Sequence, residues 1–243
     1  MTKFTLDAET LPRFSLADAD PKPATKDQKR QRYKAAPRNS IKRAKTLTPE
    51  LLARVLDSAG CSGEHGLRQQ VMIRLGFEAG LRAVEISGLR WDKHVLSADG
   101  SVGEQITITN DISKKSNERV VPLSKALRNT LVKLRETRPD DVHVIYPLQP
   151  RRDKKTGRLK TWVEPNSIVQ SLKRFYEDIG MTGVTSHSGR RTFITAMCRK
   201  AGTSPHFSLR DAQTIIGHNS LETTAGYIEL AEGASRLVDR LYD

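Results

Sequence analysis

The sequence has 243 residues, of which 41 are Lys or Arg and 28 are Asp or Glu, and its formal net charge at pH 7 is +13. This length suits one domain of ordinary size plus an extension. The basic excess favours a polyanionic partner, because clustered lysines and arginines displace counterions from phosphate groups, although a generally basic protein would show the same balance. No apolar run is long enough to cross a membrane, and the N-terminus lacks the apolar core of a signal peptide. We therefore expect a cytoplasmic protein.

The cysteine and carboxylate patterns argue against stabilising or catalytic metal chemistry. Cys61 and Cys198 are the only cysteines, and they do not have a metal-ligand spacing. We expect both to be reduced packing residues. The sequence also shows no clustered carboxylates beside the motifs described below, and we expect neither a metal ion nor a cofactor.

Residues 1–46 form a basic segment with few regularly spaced apolar residues. Four prolines interrupt it, at positions 12, 21, 23 and 37. Its basic residues are Lys22, Lys26, Lys29, Arg30, Arg32, Lys34, Arg38, Lys42, Arg43 and Lys45. Such a run cannot bury enough apolar surface to order itself. We interpret it as a flexible arm that folds onto DNA, with a solvated linker as the alternative, and place the folded domain at residues 47–243.

The first predicted helix begins at Thr48-Pro49-Glu50. Thr48 is a good N-cap, proline fits the first turn, and Glu50 faces the positive end of the helix dipole. Apolar residues then follow at helical spacing: Leu51, Leu52, Val55 and Leu56. Two further helices are predicted over residues 67–79 and 83–89.

The middle of the chain predicts one small antiparallel sheet. Gln105–Thr109 alternates apolar and polar residues, Arg119–Val121 is a second short strand, and Asn110–Glu118 between them has the polar composition of a hairpin tip. A helix around Leu127–Leu134 and a basic, polar loop at 148–163 follow. Later helices are predicted at about 166–179, 188–201, 209–216, 220–230 and 234–241. The expected fold class is mainly α with a small antiparallel sheet.

Five residues in four short motifs are the candidates for chemistry. They are Arg82 in Gly-Leu-Arg, His187 and Arg190 in His-Ser-Gly-Arg, His218 in Gly-His, and Tyr227 nine residues further on. Residues three apart are neighbours on one helical face, so His187 and Arg190 should lie together. Each motif alone also fits a structural role, such as surface pairing of Arg82 with Glu85, a helix end at His218, or a core position for Tyr227.

In order and spacing, these motifs resemble those of the tyrosine recombinases, or phage-type integrases. The matching text is AGLRAVEISGLRW, then HSGRRTF, then IIGHNSLETTAGY, and the similarity extends from about Lys45 to the C-terminus. The resemblance implies the tyrosine recombinase catalytic-domain fold. It also implies cutting and rejoining of DNA through a 3′-phosphotyrosyl link, in integration, excision or inversion.

The resemblance assigns a role to each motif residue. Arg82 and Arg190 would clamp the non-bridging oxygens of the scissile phosphate, which suits a planar guanidinium that stays charged. His187 would hydrogen-bond the phosphate and help to accept the nucleophile's proton. His218 would donate a further hydrogen bond to the transition state, and Tyr227 would attack phosphorus.

The family takes the acid for its leaving group from a lysine in a β-hairpin. Counting back from Glu118-Arg119-Val120-Val121-Pro122, Lys114 falls at that position. The usual glycine-rich turn is replaced by Ser-Lys-Lys-Ser, so the neighbouring Lys115 is the competing candidate, and both lysines also fit simple phosphate contacts.

The sequence departs from the family pattern in two further places. Gly189 and Arg191 stand where many members have a larger apolar residue and a second histidine, although the spacing still selects Arg190 as the clamp. Many relatives also carry a helical DNA-clamping domain of about a hundred residues before the catalytic one, which the short basic arm cannot supply. The layout is closer to the fimbrial phase-variation invertases.

The sequence as a whole predicts a site-specific DNA recombinase whose partner is double-stranded DNA. The resemblance implies a homo-tetramer on two DNA sites and allows an accessory DNA-bending or directionality factor. The helix from Gly233 to Tyr242 is expected to dock either on a neighbouring subunit or in cis. Two alternatives stay open: a type IB topoisomerase-like nicking and closing enzyme, and a DNA-binding remnant without catalysis.

Overall fold

The computed structural model describes residues 44–61, 65–113, 118–149, 151–154 and 156–227. The helices in these ranges are α1 (Pro49–Gly60), α2 (Gly66–Phe77), α3 (Ala83–Gly88), α4 (Lys125–Thr137), α5 (Pro165–Asp178), α6 (Ser186–Ala201), α7 (Leu209–Ile216) and α8 (Leu221–Ala225). A π-helical turn spans Trp91–Val95, and the strands are β1 (Gln105–Ile108) and β2 (Arg119–Pro122). The fold is mainly α with one small antiparallel sheet, which confirms the predicted class.

Three predicted segments lie outside the described residues. They are the basic arm up to residue 43, the part of the hairpin tip that contains Lys114 and Lys115, and the C-terminal helix at 234–241. The boundary between arm and catalytic domain at residues 46 and 47 therefore stays a prediction.

Helix α1 begins as its sequence predicted. The Thr48 hydroxyl accepts a hydrogen bond from the backbone N–H of Leu51 at 3.4 Å, and Pro49 occupies the first turn. Val55, Leu56 and Ala59 are the buried residues of the helix. One apolar stripe thus fixes the helix on the core, while its remaining face is solvated.

The two strands pair in the register that places their apolar residues on one face. Ile106 pairs with Val121, and Thr107 with Val120. Ile106 and Val121 are fully buried, whereas Val120 on the opposite face is 43% exposed. This alternation places Arg119, two residues before Val121, on the buried side of β2.

The π-helical turn was not predicted from the sequence. Trp91 lies in the core with the Arg135 guanidinium over its ring, 5.5 Å from the ring centroid. The buried His94 side chain accepts a hydrogen bond from the Arg90 backbone N–H through Nδ1 at 2.9 Å. A turn of only five residues has no periodic pattern that the sequence could reveal.

Helices α2 and α6 approach each other closely at two glycines. A Cβ at Gly189 would lie 2.8 Å from the backbone carbonyl carbon of Gly76 and 3.0 Å from the Phe77 ring. A larger side chain at position 189 would therefore force the helices apart. This contact explains why glycine occupies a position where the motif usually has a larger apolar residue.

Two predictions from the sequence are wrong. Cys61 follows the last residue of α1 and is exposed, so of the two cysteines only Cys198 is a packing residue. Tyr227 lies two residues beyond the last residue of α8, whereas a helix over 220–230 would contain it. Glycine at position 226 weakens the helix, and the Tyr227 N–H bonds to the Thr224 carbonyl three residues back, as in a tightened last turn.

Candidate active site

Arg82 lies in a turn that is pressed against helix α6. Gly80 has a φ of 64°, in the left-handed region that favours glycine, and a Cβ there would collide with the Phe193 ring. Two residues later Arg82 is the N-cap of α3, and its backbone N–H donates to Glu85 Oε2 at 2.8 Å. The turn between α2 and α3 therefore has one conformation that presents the arginine.

Glu85 holds two arginine side chains. Its Oε1 accepts from Arg82 Nη1 at 3.0 Å, and its two oxygens accept from Arg119 Nη1 and Nη2 at 3.0 and 2.8 Å. The Glu85 side chain has no exposed surface, while that of Arg82 is 23% exposed. Arg82 therefore reaches the surface from a buried ion-pair network.

Arg190 joins the first motif to the third. From helix α6, its Nη1 donates to the Gly80 carbonyl at 2.5 Å, and its Nη2 donates to the Ile216 carbonyl at 2.9 Å. These bonds use two of the five N–H donors of a guanidinium group. Burial, together with the positive charge of Arg82, lowers the pKa of Arg190 to about 9, so it remains mainly protonated at neutral pH.

His187 occupies the first turn of α6, one turn before Arg190 on the same helix. The Thr185 hydroxyl caps this helix by accepting from the His187 backbone N–H at 3.2 Å. The His187 side chain is exposed, in contrast to the buried Arg190. It therefore lies at the positive end of the helix dipole, with its ring accessible to a ligand.

His218 and Tyr227 lie side by side. Gly217 ends α7 with a φ of 71°, which turns the chain sharply into His218. The His218 ring bonds through Nδ1 to the hydroxyl of the buried Thr224 at 3.1 Å. Its ring centroid is 5.8 Å from that of the half-buried Tyr227, so α8 fixes both rings together.

The tyrosine also packs against a small second core. The buried members of this cluster are Ile194, Cys198, Ala212 and Ile216, which come from α6 and α7. One edge of Tyr227 is thus held by the helices that carry Arg190 and precede His218. The structure therefore brings together Arg82, Arg190, His218 and Tyr227, with His187 on the same helix as Arg190.

Arg119 is also part of this region, although no sequence motif indicated it. In the sequence it was only the reference position from which Lys114 was located. The available signal was its inward-facing position in β2, where an unpaired arginine would be costly. No sequence rule, however, would have paired it with a carboxylate 34 residues earlier.

Neither a metal cluster nor a membrane helix is found in the described part of the chain. It contains no group of three or more His, Cys, Asp or Glu side chains placed to hold a metal ion. None of its helices combines the length and the apolar character that crossing a membrane requires.

Both the fold and the sequence of this chain match known proteins. The structure of the Tn1549 transposon integrase in complex with transposon right end DNA matches with a TM-score of 0.59, over 85% of this chain and 69% of that chain, at 18% identity. The sequence pattern of the phage integrase family matches residues 45–233. The chain belongs to that family.

Two curated relatives are recombinases. Tyrosine recombinase XerA of Pyrococcus horikoshii is 25% identical over 191 residues, which cover 76% of this chain and 57% of the relative. Tyrosine recombinase XerC of Brucella suis biovar 1 is 29% identical over 196 residues, which cover 79% of this chain and 56% of the relative. The chain thus spans a little over half the length of these relatives.

Proposed function

We propose that this protein is a site-specific DNA recombinase that cuts and rejoins DNA through a 3′-phosphotyrosyl intermediate. One observation carries the proposal: Arg190 bonds to carbonyls beside Arg82 and beside His218, while the His218 ring lies against Tyr227. Arg82 and Tyr227, which are 145 positions apart in the sequence, thereby belong to one site. The family and the names of its relatives agree with this chemistry and do not favour a topoisomerase or a remnant.

The positive charge of the site suits a phosphodiester. Arg82, Arg119 and Arg190 contribute three guanidinium groups, and Glu85 contributes one carboxylate, which leaves a net charge of +2. In the proposed reaction Arg82 and Arg190 bind the non-bridging oxygens. Fixed cations that are in place before reaction stabilise the charge that develops in the transition state.

The proposed bond changes divide among the remaining residues. The Tyr227 hydroxyl attacks phosphorus, its proton is accepted with help from His187, and His218 donates a hydrogen bond to the phosphate. The bond to the 5′-oxygen breaks, and Lys114 protonates that oxygen. A 5′-hydroxyl of the partner strand then reverses the step, so the bond energy is kept in the phosphotyrosyl ester.

The proposed partner is double-stranded DNA, held in part by the basic arm. The solved integrase that matches the fold is itself a complex with transposon end DNA. Exchange of strands between two duplexes requires four cleavages, and we propose a homo-tetramer with one Tyr227 for each. An accessory protein that bends DNA or sets the direction of reaction fits the same scheme.

Covalent trapping tests the proposal. The substrates are nicked duplexes from the DNA on either side of the gene, chosen for inverted repeats and incubated in excess EDTA, because arginines supply the charge. We expect the wild type and the control Tyr176→Phe to form a denaturation-resistant adduct. Tyr227→Phe should bind the same duplexes and form none. An adduct in Tyr227→Phe would contradict the assignment of the nucleophile.

A further inference from the structure

Arg119 is a buried arginine that the proposed reaction does not use directly. Its side chain is only 3% exposed, and both terminal nitrogens donate to Glu85. Glu85 in turn binds the backbone and the side chain of Arg82. Arg119 therefore reaches the phosphate-binding arginine through a single shared carboxylate.

The same side chain also contacts the turn before His218. A Cβ at Gly217 would lie 2.7 Å from Arg119 Cδ and 3.2 Å from its Nε, so the stem of the arginine packs directly under this turn. Among the described residues, the buried Nε finds no hydrogen-bond acceptor. The Gly217 turn can pass over Arg119 only because residue 217 lacks a side chain.

We propose that Arg119 is a positioning residue, which holds Arg82 through Glu85 and the His218 turn through Gly217 so that both act on one phosphate. The inference rests on the proposed function, because it assigns Arg119 to that same site. Arg119 also begins β2, directly after the segment that contains Lys114. It thus connects the base of the hairpin with both elements.

An arginine is required at position 119 because Glu85 would otherwise bind the Arg82 side chain alone. A buried carboxylate with only one cationic partner would draw the whole Arg82 guanidinium to itself and away from a phosphate. The two parallel bonds from Arg119 occupy both carboxylate oxygens and leave Arg82 a single side-chain bond. Lysine would supply the charge but not the planar fork.

The test separates DNA binding from chemistry in Arg119→Met and Arg119→Lys. Arg68→Met is the matched control, because Arg68 is equally buried but donates to the Tyr146 carbonyl. Arg68 lies nine residues before the end of α2, about 13 Å along the helix. Each variant is compared at equal folded fraction for DNA affinity and for the single-turnover rate of Tyr227 adduct formation.

We expect Arg119→Met to bind DNA within about threefold of wild type and to form the adduct about 100-fold more slowly, as when one fixed hydrogen-bond donor is lost. Arg119→Lys should form the adduct faster than Arg119→Met but more slowly than wild type. The control Arg68→Met should keep the wild-type rate. In an Arg82→Ala background, Arg119→Met should add less than about threefold, because coupled residues are not additive. The inference would be overturned if the rate losses of Arg82→Ala and Arg119→Met multiplied in the double variant. It would also be overturned if Arg119→Met formed the adduct as fast as Arg68→Met.

A second measurement needs no cleavage and separates this inference from the proposed function. In the DNA-free protein, the NMR signals of the Arg82 guanidinium and of the His218 ring should both shift in Arg119→Met. Neither signal should shift in Arg68→Met. Unchanged signals overturn the role of Arg119. An active site with shifted signals but no adduct in the wild type overturns the proposed function alone.

Discussion

Glu85 shows how the charge of a single residue supports both the fold and the site. Burial raises the pKa of this carboxyl group, but hydrogen bonds and charges from Arg119 and Arg82 outweigh burial and hold the pKa below its ordinary value of 4.5. The positively charged Arg190 also faces it. A group whose pKa is lowered by folding stabilises the fold above its unfolded pKa, and that contribution is lost as pH falls through the folded pKa.

The pH dependence of Glu85→Gln follows from this sign. At pH 7 the variant should lose about 3–5 kcal/mol of unfolding free energy, because a buried pair is broken from one side. Below pH 4.5 the difference from wild type should shrink, because the carboxyl group of the unfolded wild-type chain binds a proton there, while that of the folded protein stays ionised down to its lowered pKa. Urea unfolding at several pH values measures both effects.

An exposed carboxylate provides the control for that series. Glu164 pairs with Lys160 at 2.9 Å, but its side chain is 57% exposed. Glu164→Gln should cost less than about 1 kcal/mol at any pH. A Glu85 variant that behaves like the Glu164 variant would show that the buried network does not stabilise the fold.

Lys114 and Lys115 are adjacent, so they should differ in function. Neighbouring side chains in an extended tip point to opposite sides, and only one should reach the leaving oxygen. A general acid becomes unnecessary when sulfur replaces the bridging 5′-oxygen, because a thiolate leaves without a proton. We expect Lys114→Ala to be slow on normal DNA and largely restored on the sulfur substrate, measured by adduct formation.

Two variants serve as controls for the general acid. Lys115→Ala should lose some affinity and little rate. Arg82→Ala should not be restored by sulfur, because in the proposed reaction Arg82 binds the non-bridging oxygens. Restoration of Lys115→Ala instead would move the acid by one residue. If neither lysine variant responds, the proton comes from elsewhere, with His187 the next candidate.

At the scale of helices, the α2–α6 contact predicts opposite effects on stability for alanine at Gly76 and alanine at Gly189. A methyl group at Gly189 would meet the Gly76 backbone at 2.8 Å, whereas one at Gly76 would meet only the Gly189 Cα at 3.7 Å. Alanine favours a helix over glycine by about 1 kcal/mol. Gly76→Ala should therefore be neutral or stabilising, by up to that amount.

Gly189→Ala should be destabilising by about 1–3 kcal/mol, because backbone atoms cannot move aside as a flexible side chain would. It should also slow adduct formation, since Arg190 is the next residue and its two carbonyl bonds depend on the position of α6. Urea unfolding and trapping of the two variants in parallel measure this. Equal stabilities would contradict the close contact.

The sequence predicted elements wherever a local pattern determines them. Capping and periodicity located α1 from Thr48 onward, alternation located β1, and the short run before Pro122 located β2. Glycine at 226 is a local signal that the chain leaves its helix before Tyr227, and the predicted helix over 220–230 ignored it. The motif order located the five candidate residues. The Arg119–Glu85 pair could not be predicted, because it forms only when β2 packs against α3.

At the scale of the whole molecule, the excess of positive charge should appear as a salt dependence of DNA binding. Each phosphate neutralised by Lys or Arg releases counterions, so affinity falls as salt rises. Deleting residues 1–44 should weaken binding and flatten the slope of log affinity against log salt. An unchanged slope, measured by fluorescence anisotropy, would show that the basic arm is only a linker.

The loop at 148–163 should make a separate and smaller contribution to the salt dependence of DNA binding. Arg151, Lys154 and Arg158 are exposed, whereas Lys160 is already paired with Glu164 and lies 5.0 Å from the Trp162 ring centroid. Replacing Arg151, Lys154 and Arg158 by glutamine should reduce the slope further. Lys160→Gln is the control and should change it least.

The two hydrogen bonds of Arg190 affect how far this sequence can diverge while the site is kept. Both of its acceptors, at Gly80 and Ile216, are main-chain carbonyls, so the bond at position 216 survives any replacement that preserves helix α7. The side chains of α7 can therefore change while the guanidinium stays in place, whereas Gly80 and Gly217 have to remain glycine. A chain held in this way can diverge to 18% identity from an integrase and still keep the same fold.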